Sequence, residues 1–277
     1  MEEILEKYYG LKNCNTINYD NGYIFFVDGK KYYLVKTNYD ENMIEELEKM
    51  IYFLHKKNIL VHSFIKNNAK RYISNGYILM IINVFGNEIT MYDIGRFSDI
   101  TFDNGCYKDM NSFWYEKLDY LNKQRNDLSD NDLINNSFDY YLGVSELLLK
   151  NLGNNLGKTM ITLSHKCLTN LSVIDFYNPF NIIYDVWLKD IGYYIKITNN
   201  YGLLDKYLDK LNRYELNYLF TRLCFPFEYF CEVSDILIDK AEEKGLLSLV
   251  TNVDKYERHL FNMENIFGIR LFEWIKK

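Results

Sequence analysis

The chain has 277 residues, 48% of them apolar, enough for a sizeable core in one large domain or two smaller lobes. A net charge of -6 and a pI near 5.4, with lysines spread along the chain and not gathered into blocks, exclude a protein that reads a nucleic-acid backbone over a broad basic face. The charged start, Met1-Glu-Glu-Ile-Leu-Glu-Lys, has no apolar export core, and no run of about 18 apolar residues is present to span a membrane. The expectation is synthesis and folding in a cytoplasm. Five cysteines (Cys14, Cys106, Cys167, Cys224, Cys231) fall at unrelated spacings with no C-x-x-C, which argues against a disulfide framework or zinc site. Four of them read as buried small hydrophobes. The 26 tyrosines accompany abundant Asn, Ile and Lys, as AT-rich coding DNA would give.

The first ninety residues are β-rich. Two strand-like runs, 21–27 and 30–36, flank Asp28-Gly29, a strong hairpin signal. A helix follows from Asn42, read as its N-cap with Glu45 three residues on, carrying Ile44, Leu47, Ile51 and Leu54 at helical spacing until Asn58. Residues 71–74 and 77–85 flank Asn75-Gly76 as a second hairpin, and its nearly continuous apolar second strand is expected to be central. Beyond Thr90 the pattern is helical, with apolar faces over 111–123, 139–152, 202–211, 214–223 and 227–244. Pro226 punctuates the last two. Near the centre, between 139–152 and 202–211, residues 171–176 and 181–184 read as a strand pair broken by Asn178-Pro179. The expected fold is α+β: a small β-rich N-lobe, residues 1–87, and a larger helical C-lobe, residues 88–277. This is the bilobal layout of protein-kinase-like phosphotransferases.

That layout requires a lysine at the end of the third strand to hold nucleotide phosphates, and Lys36 in Tyr-Leu-Val-Lys fits. Glu45, Glu46 and Glu48 are all candidate helix partners for it. No G-x-G-x-x-G accompanies the first turn, where only Asn21-Gly22 is available, so the phosphate cradle is weak or absent. A catalytic loop of this kind uses His-x-Asp, the aspartate taking the attacking hydroxyl's proton, and an asparagine five residues later for magnesium. Here these places hold His165, Cys167 and Ser172, with Asn170 two residues early. Cysteine does not replace a carboxylate base, and serine is a poor magnesium ligand. The next metal-site aspartate is Asp185, with Asp175 as the competing assignment; Asp185 is preferred because Asn178-Pro179 supplies the turn of a hairpin. Asp190 is either a buried carboxylate tying the loop to the next helix or a surface residue. His165 and Cys167 form a further nucleophile pair only if side chains two residues apart converge. Trp114, Tyr140, Tyr141 and Trp187 line an acceptor site or belong to the core.

The segments Ser164-His-Lys-Cys-Leu-Thr-Asn-Leu-Ser, Pro179-Phe-Asn-Ile-Ile-Tyr-Asp-Val-Trp-Leu-Lys-Asp-Ile, Leu219-Phe-Thr-Arg-Leu-Cys-Phe-Pro-Phe-Glu-Tyr-Phe and Ile266-Phe-Gly-Ile-Arg-Leu-Phe-Glu-Trp, together with Leu5-Glu-Lys-Tyr-Tyr-Gly, resemble the spore coat protein S family, especially its YutH-like branch. That family belongs to the aminoglycoside phosphotransferase and choline kinase superfamily. The resemblance implies a kinase-like fold, spore coat proteins as partners and a place in the endospore coat of a Gram-positive bacterium. Active members of the superfamily phosphorylate small-molecule hydroxyls with ATP and magnesium. The departures at Cys167 and Ser172 imply a pseudokinase-like chain, the alternative being an active phosphotransferase that uses another acid.

Overall fold

The computed structural model describes residues 1–101, 110–128, 131–153, 159–239 and 241–273. In chain order these form α1 (Glu2–Tyr9), β1 (Ile17–Tyr19), β2 (Gly22–Val27), β3 (Lys30–Lys36), α2 (Glu41–Lys56), β4 (Ser63–Ile65), β5 (Ile73–Ser74), β6 (Tyr77–Ile81), α3 (Met91–Ser98), α4 (Met110–Leu128) and α5 (Asp132–Leu152). Then come β7 (Ile161–His165), α6 (Val173–Phe176), β8 (Ile182–Val186), α7 (Leu188–Thr198), α8 (Arg213–Cys224), α9 (Phe227–Asp239), α10 (Lys244–Thr251) and α11 (Val253–Phe267). Tertiary contacts divide the chain into two compact units, Met1–Ile100 with Leu163–Ile183, and Thr101–Thr162 with Tyr184–Lys277. The expected single boundary after residue 87 differs from this division, because residues 163–183 return to the sheet-bearing unit. Cys106 and Trp274 lie outside the described residues.

In the first unit an antiparallel sheet runs β1-β2-β3-β6-β4, with β5 also on β6. The β2–β3 hairpin closes at Val27↔Lys30 over Asp28 (φ 49°) and Gly29 (φ 73°), two left-handed residues whose twist matches paired strands. Asn75 and Gly76 do the same for β5 and β6. As expected, β6 is internal, bonded to β3 on one side and to β4 and β5 on the other, and Ile78, Leu79 and Met80 are buried. Phe25, Leu34 and Leu79 meet Leu5 of α1 and Cys14 in one apolar cluster. The N-cap of α2 is Asp40, whose carboxylate accepts from the Met43 N–H at 2.9 Å, and not Asn42, which lies within the first turn.

The expected strand at 171–176 is instead the one-turn helix α6. Ser172 caps it by accepting from the Asp175 N–H at 3.4 Å, while Val173, Ile174 and Phe176 are buried. The two-stranded sheet is formed by β7 with β8. A polar cap followed by Val-Ile-Asp-Phe satisfies a helical turn as well as a strand, and local capping decides between them.

The second unit is helical. Its core includes Phe138, Leu148, Tyr218, Phe220 and Phe230, and α8 is buried over nearly its whole length. The sequence pattern at 202–211 yields two short 3-10 segments, Tyr201–Lys206 and Leu208–Lys210, in place of an α-helix. Of the cysteines, Cys14 and Cys224 are buried, whereas Cys167 and Cys231 are exposed, so the expectation of four buried thiols fails at Cys231. No helix among the described residues is long and apolar enough to cross a membrane.

Two predictions follow from the packing of the first unit. A Cβ added at Gly22 would overlap the Leu34 carbonyl oxygen and stand 2.7 Å from Tyr33 Cε2, so Gly22→Ala is expected to cost about 2 kcal/mol in a urea denaturation series. His62 is fully buried, and burial pushes its imidazole down to about 4 despite the opposing pull of the Ile174 carbonyl. The unfolded chain therefore binds this proton more readily between pH 6.5 and about 4, and stability falls as pH falls through that window. The loss expected from His62 is about 3 kcal/mol, and His62→Leu should flatten that part of the stability curve.

Candidate functional site

Lys36 ends β3 opposite Tyr77 of β6 and is exposed. Among the described residues no ion pair joins it to Glu45, Glu46 or Glu48. Glu46 pairs with Lys49 at 2.6 Å, and burial raises the half-buried Glu48 carboxyl, partly offset by His55 and Lys66. The carboxylate that does connect α2 to the sheet is Glu41, accepting from the Tyr72 and Ile73 N–H groups at 3.1 and 2.9 Å.

The loop after β7 is built on His165. Its imidazole is fully buried, stacks on Phe176 at 4.1 Å and donates through Nε2 to the Phe176 carbonyl at 2.7 Å. The intervening residues are thereby held as a closed loop, which also bonds to residues 87–89 through Ile89 N–H to Leu171 O at 2.8 Å. Within it Cys167 is exposed and His165 is directed into the core, so the two do not form a nucleophile pair. Asn170 Oδ1 accepts from the Ser172 N–H at 2.8 Å, and its Nδ2 donates to Asp175 Oδ2 at 3.1 Å.

Tyr19, at the end of β1, reaches this loop. Its hydroxyl lies 2.8 Å from Ser172 Oγ and donates to Asp175 Oδ2 at 3.0 Å. Burial raises the Tyr19 phenol above its ordinary value, which keeps it a donor. Ser172 is thus occupied as a helix cap and as a partner of Tyr19, and Asp175 Oδ1 is the carboxylate oxygen with no hydrogen bond among the described residues.

Two polar cavities of about 350 and 430 Å3 share Asp20, Asp175 and Asn181. The first is lined also by Lys36 and by Tyr39 stacked on Phe180 at 5.2 Å, and the second by Cys167 and Asn170. The structure therefore brings Lys36, Cys167 and Asp175 around adjoining space in one unit. Nothing in the sequence pointed to Tyr19, Asp20 or Tyr39, since single residues on a turn carry no spacing signal.

Asp185 lies on β8 in the second unit, inside a strand expected to end at Tyr184, and the hairpin that favoured it pairs β8 with β7 and not with residues 171–176. Its Oδ2 pairs with Lys189 Nζ at 2.6 Å, and its Oδ1 accepts from the Val186 N–H at 2.7 Å and the Tyr218 hydroxyl at 3.4 Å. Both side chains of the pair are largely buried, at 13% and 8% exposure. Burial pulls the Lys189 ammonium below its ordinary value, and Asp185 opposes that shift. Asp190 is 2% exposed, so it is buried and not a surface residue. The pair joins a strand to the helix that follows it, so no helical spacing in the sequence announces it.

The expected kinase-like layout raises the question of magnesium. Hard cations need carboxylate or carbonyl oxygens free to coordinate. Asp185 has both oxygens engaged and its charge answered by an ammonium, while Ser172 is committed to the α6 cap. This donor set does not fit a magnesium ion. Of the aromatic candidates, Trp114 packs on Phe225 and Phe227 in the core, Tyr140 donates to Glu257, and Trp187 donates to Glu215. Tyr141 lines a separate cavity of about 480 Å3 in the second unit, with Tyr256 and His259.

No protein-family model and no curated protein matches the chain. Among solved structures it is similar to an aminoglycoside phosphotransferase from Alicyclobacillus acidocaldarius subsp. acidocaldarius DSM 446, at 10% identity and TM-score 0.62 over 92% of both chains. It is also similar to spectinomycin phosphotransferase APH(9)-Ia in complex with ADP and spectinomycin, at 13% identity and TM-score 0.58, over 94% of this chain and 92% of that one. The AMP-bound complex of the same enzyme gives TM-score 0.55 at 14% identity, over 95% and 93%. At these identities the similarity establishes the fold: the chain has the α+β, kinase-like fold of the aminoglycoside phosphotransferases.

The Tyr19 contact makes a measurable prediction. In a double-mutant cycle, Tyr19→Phe and Asp175→Asn should be coupled by about 1 kcal/mol in unfolding free energy, the size of one hydrogen bond to a partly exposed carboxylate. Additive losses would show that the contact contributes nothing.

Proposed function

We propose that the chain is a kinase-fold protein that holds a nucleotide beside Lys36 and is impaired in phosphoryl transfer. The observation that carries this reading is the loop geometry at the base position. There an exposed thiol, Cys167, stands where a carboxylate must take the attacking hydroxyl's proton. Ser172, at the position of the metal-binding asparagine, is engaged as a cap, and Asp185 is engaged by Lys189. Nucleotide binding is supported by Lys36 and the polar cavity it lines, and by the ADP and AMP held by structures of the same fold. The finer assignment, to spore coat assembly with coat proteins as partners, rests on the sequence resemblance of the segments around His165, Asp185 and Phe225.

A specific observation favours a second reading, an active small-molecule phosphotransferase. Asp175 lines both polar cavities and keeps Oδ1 open to a proton, so it can serve as a displaced base next to Lys36.

Thermal melts with ATP or ADP separate the possibilities. Ligand at 100 times its Kd should stabilise the folded state by roughly 2.7 kcal/mol, and Lys36→Ala should abolish the shift. No shift at millimolar nucleotide would remove the nucleotide reading. ATP turnover in the wild type that disappears in Asp175→Asn would replace the impaired enzyme by the active one, whereas turnover that survives the change would discard Asp175 as the base.

A further inference from the structure

Asp185 occupies, by sequence order after the catalytic loop, the position where a kinase fold holds a metal ion, yet its surroundings are those of a completed ion cluster. Lys189, four residues further on in the first turn of α7, places its ammonium 2.6 Å from Oδ2. The second oxygen takes a backbone N–H and a tyrosine hydroxyl. Arg222, 5% exposed and with its guanidinium over the rings of Tyr193 and Phe227 at 4.4 and 4.6 Å, adds a second cation to the field felt by Lys189 and Asp185. Asp190, also buried, adds a second anion to the same field.

The Asp185 carboxylate is thus already answered by a buried ammonium, and a divalent cation added beside it would leave uncompensated positive charge away from water. The metal would also have to displace Lys189 from Asp185, leaving a buried ammonium without its partner.

We infer that Lys189 is a built-in replacement for the metal ion at Asp185, so that this chain binds nucleotide without a divalent cation. The inference deepens the proposed nucleotide-binding reading and rests on it for the ligand, but not for the cation exclusion. Lys189 acts here as a positioning residue: it sets the charge and orientation of Asp185. The rigid strand β8 and the first turn of α7 hold the two side chains, so the ammonium does not have to be recruited when a ligand arrives.

The test uses Mn2+ alone, followed by electron paramagnetic resonance, and ATP melts in either magnesium or EDTA. The wild type should show no Mn2+ binding that depends on Asp185, and its ATP-induced shift should be the same in magnesium and in EDTA. Lys189→Gln should gain Mn2+ affinity on the order of tenfold, the gain vanishing when Asp185→Asn is added, while Lys189→Arg stays like the wild type. Mn2+ binding by the wild type that is lost in Asp185→Asn, or an ATP shift that disappears in EDTA, would overturn the inference. So would a folded Lys189→Gln with no gain. If that variant does not fold, the comparison of wild type with Asp185→Asn decides by itself. Absence of any ATP shift in either medium would instead overturn the nucleotide reading, and the Mn2+ comparison would still decide whether Lys189 excludes the metal.

Discussion

The buried imidazole of His165 is the contact on which the candidate site depends. A carbonyl can only accept, so the 2.7 Å bond to Phe176 fixes Nε2 as the donor and ties the end of β7 to the end of α6. The ten residues between are then a closed loop whose ends cannot separate without leaving a polar ring nitrogen unpaired in an apolar core, a cost of roughly 1–3 kcal/mol. Four polar groups of the candidate site hang from that loop: the exposed Cys167, the Asn170 side chain, the Ser172 cap and the Asp175 carboxylate. Tyr19 fastens the same loop to β1 through two of these groups.

Position in the chain and chemical state diverge at both aspartates. Asp185 is the metal-site aspartate expected from sequence order, but an ammonium and a backbone donor already satisfy it. Asp175, the less favoured candidate, lines cavities with Lys36 and with Cys167 and retains an open oxygen. A carboxylate's usefulness depends on what else claims its lone pairs, and burial sharpens the competition because an unanswered charge is far more costly there than in water.

The fold of solved phosphotransferases carries over here at 10–14% identity, which is possible because apolar periodicity and turn chemistry, and not particular catalytic side chains, specify it. Both hairpins illustrate this. Asp28-Gly29 and Asn75-Gly76 accept left-handed backbone at little cost, and the alternation on either side sets the register. The exposed stretch of the loop after β7 is under no such constraint, and Cys167 can stand there without disturbing the core.

The sequence by itself determined the two hairpins, the central place of β6, the amphipathic helices and the order of Lys36, His165, Cys167, Ser172 and Asp185 along the chain. These are local properties, written in turn residues and in periods of two and 3.6. Only the tertiary structure decided that residues 173–176 coil and do not extend, that residues 163–183 belong with the sheet, and that none of the three favoured glutamates pairs with Lys36. It alone placed Tyr19 on Asp175 and Lys189 with Asp185 in a buried setting. Those outcomes depend on which polar groups lose water together and must answer one another, a property of three-dimensional neighbours that linear spacing does not record.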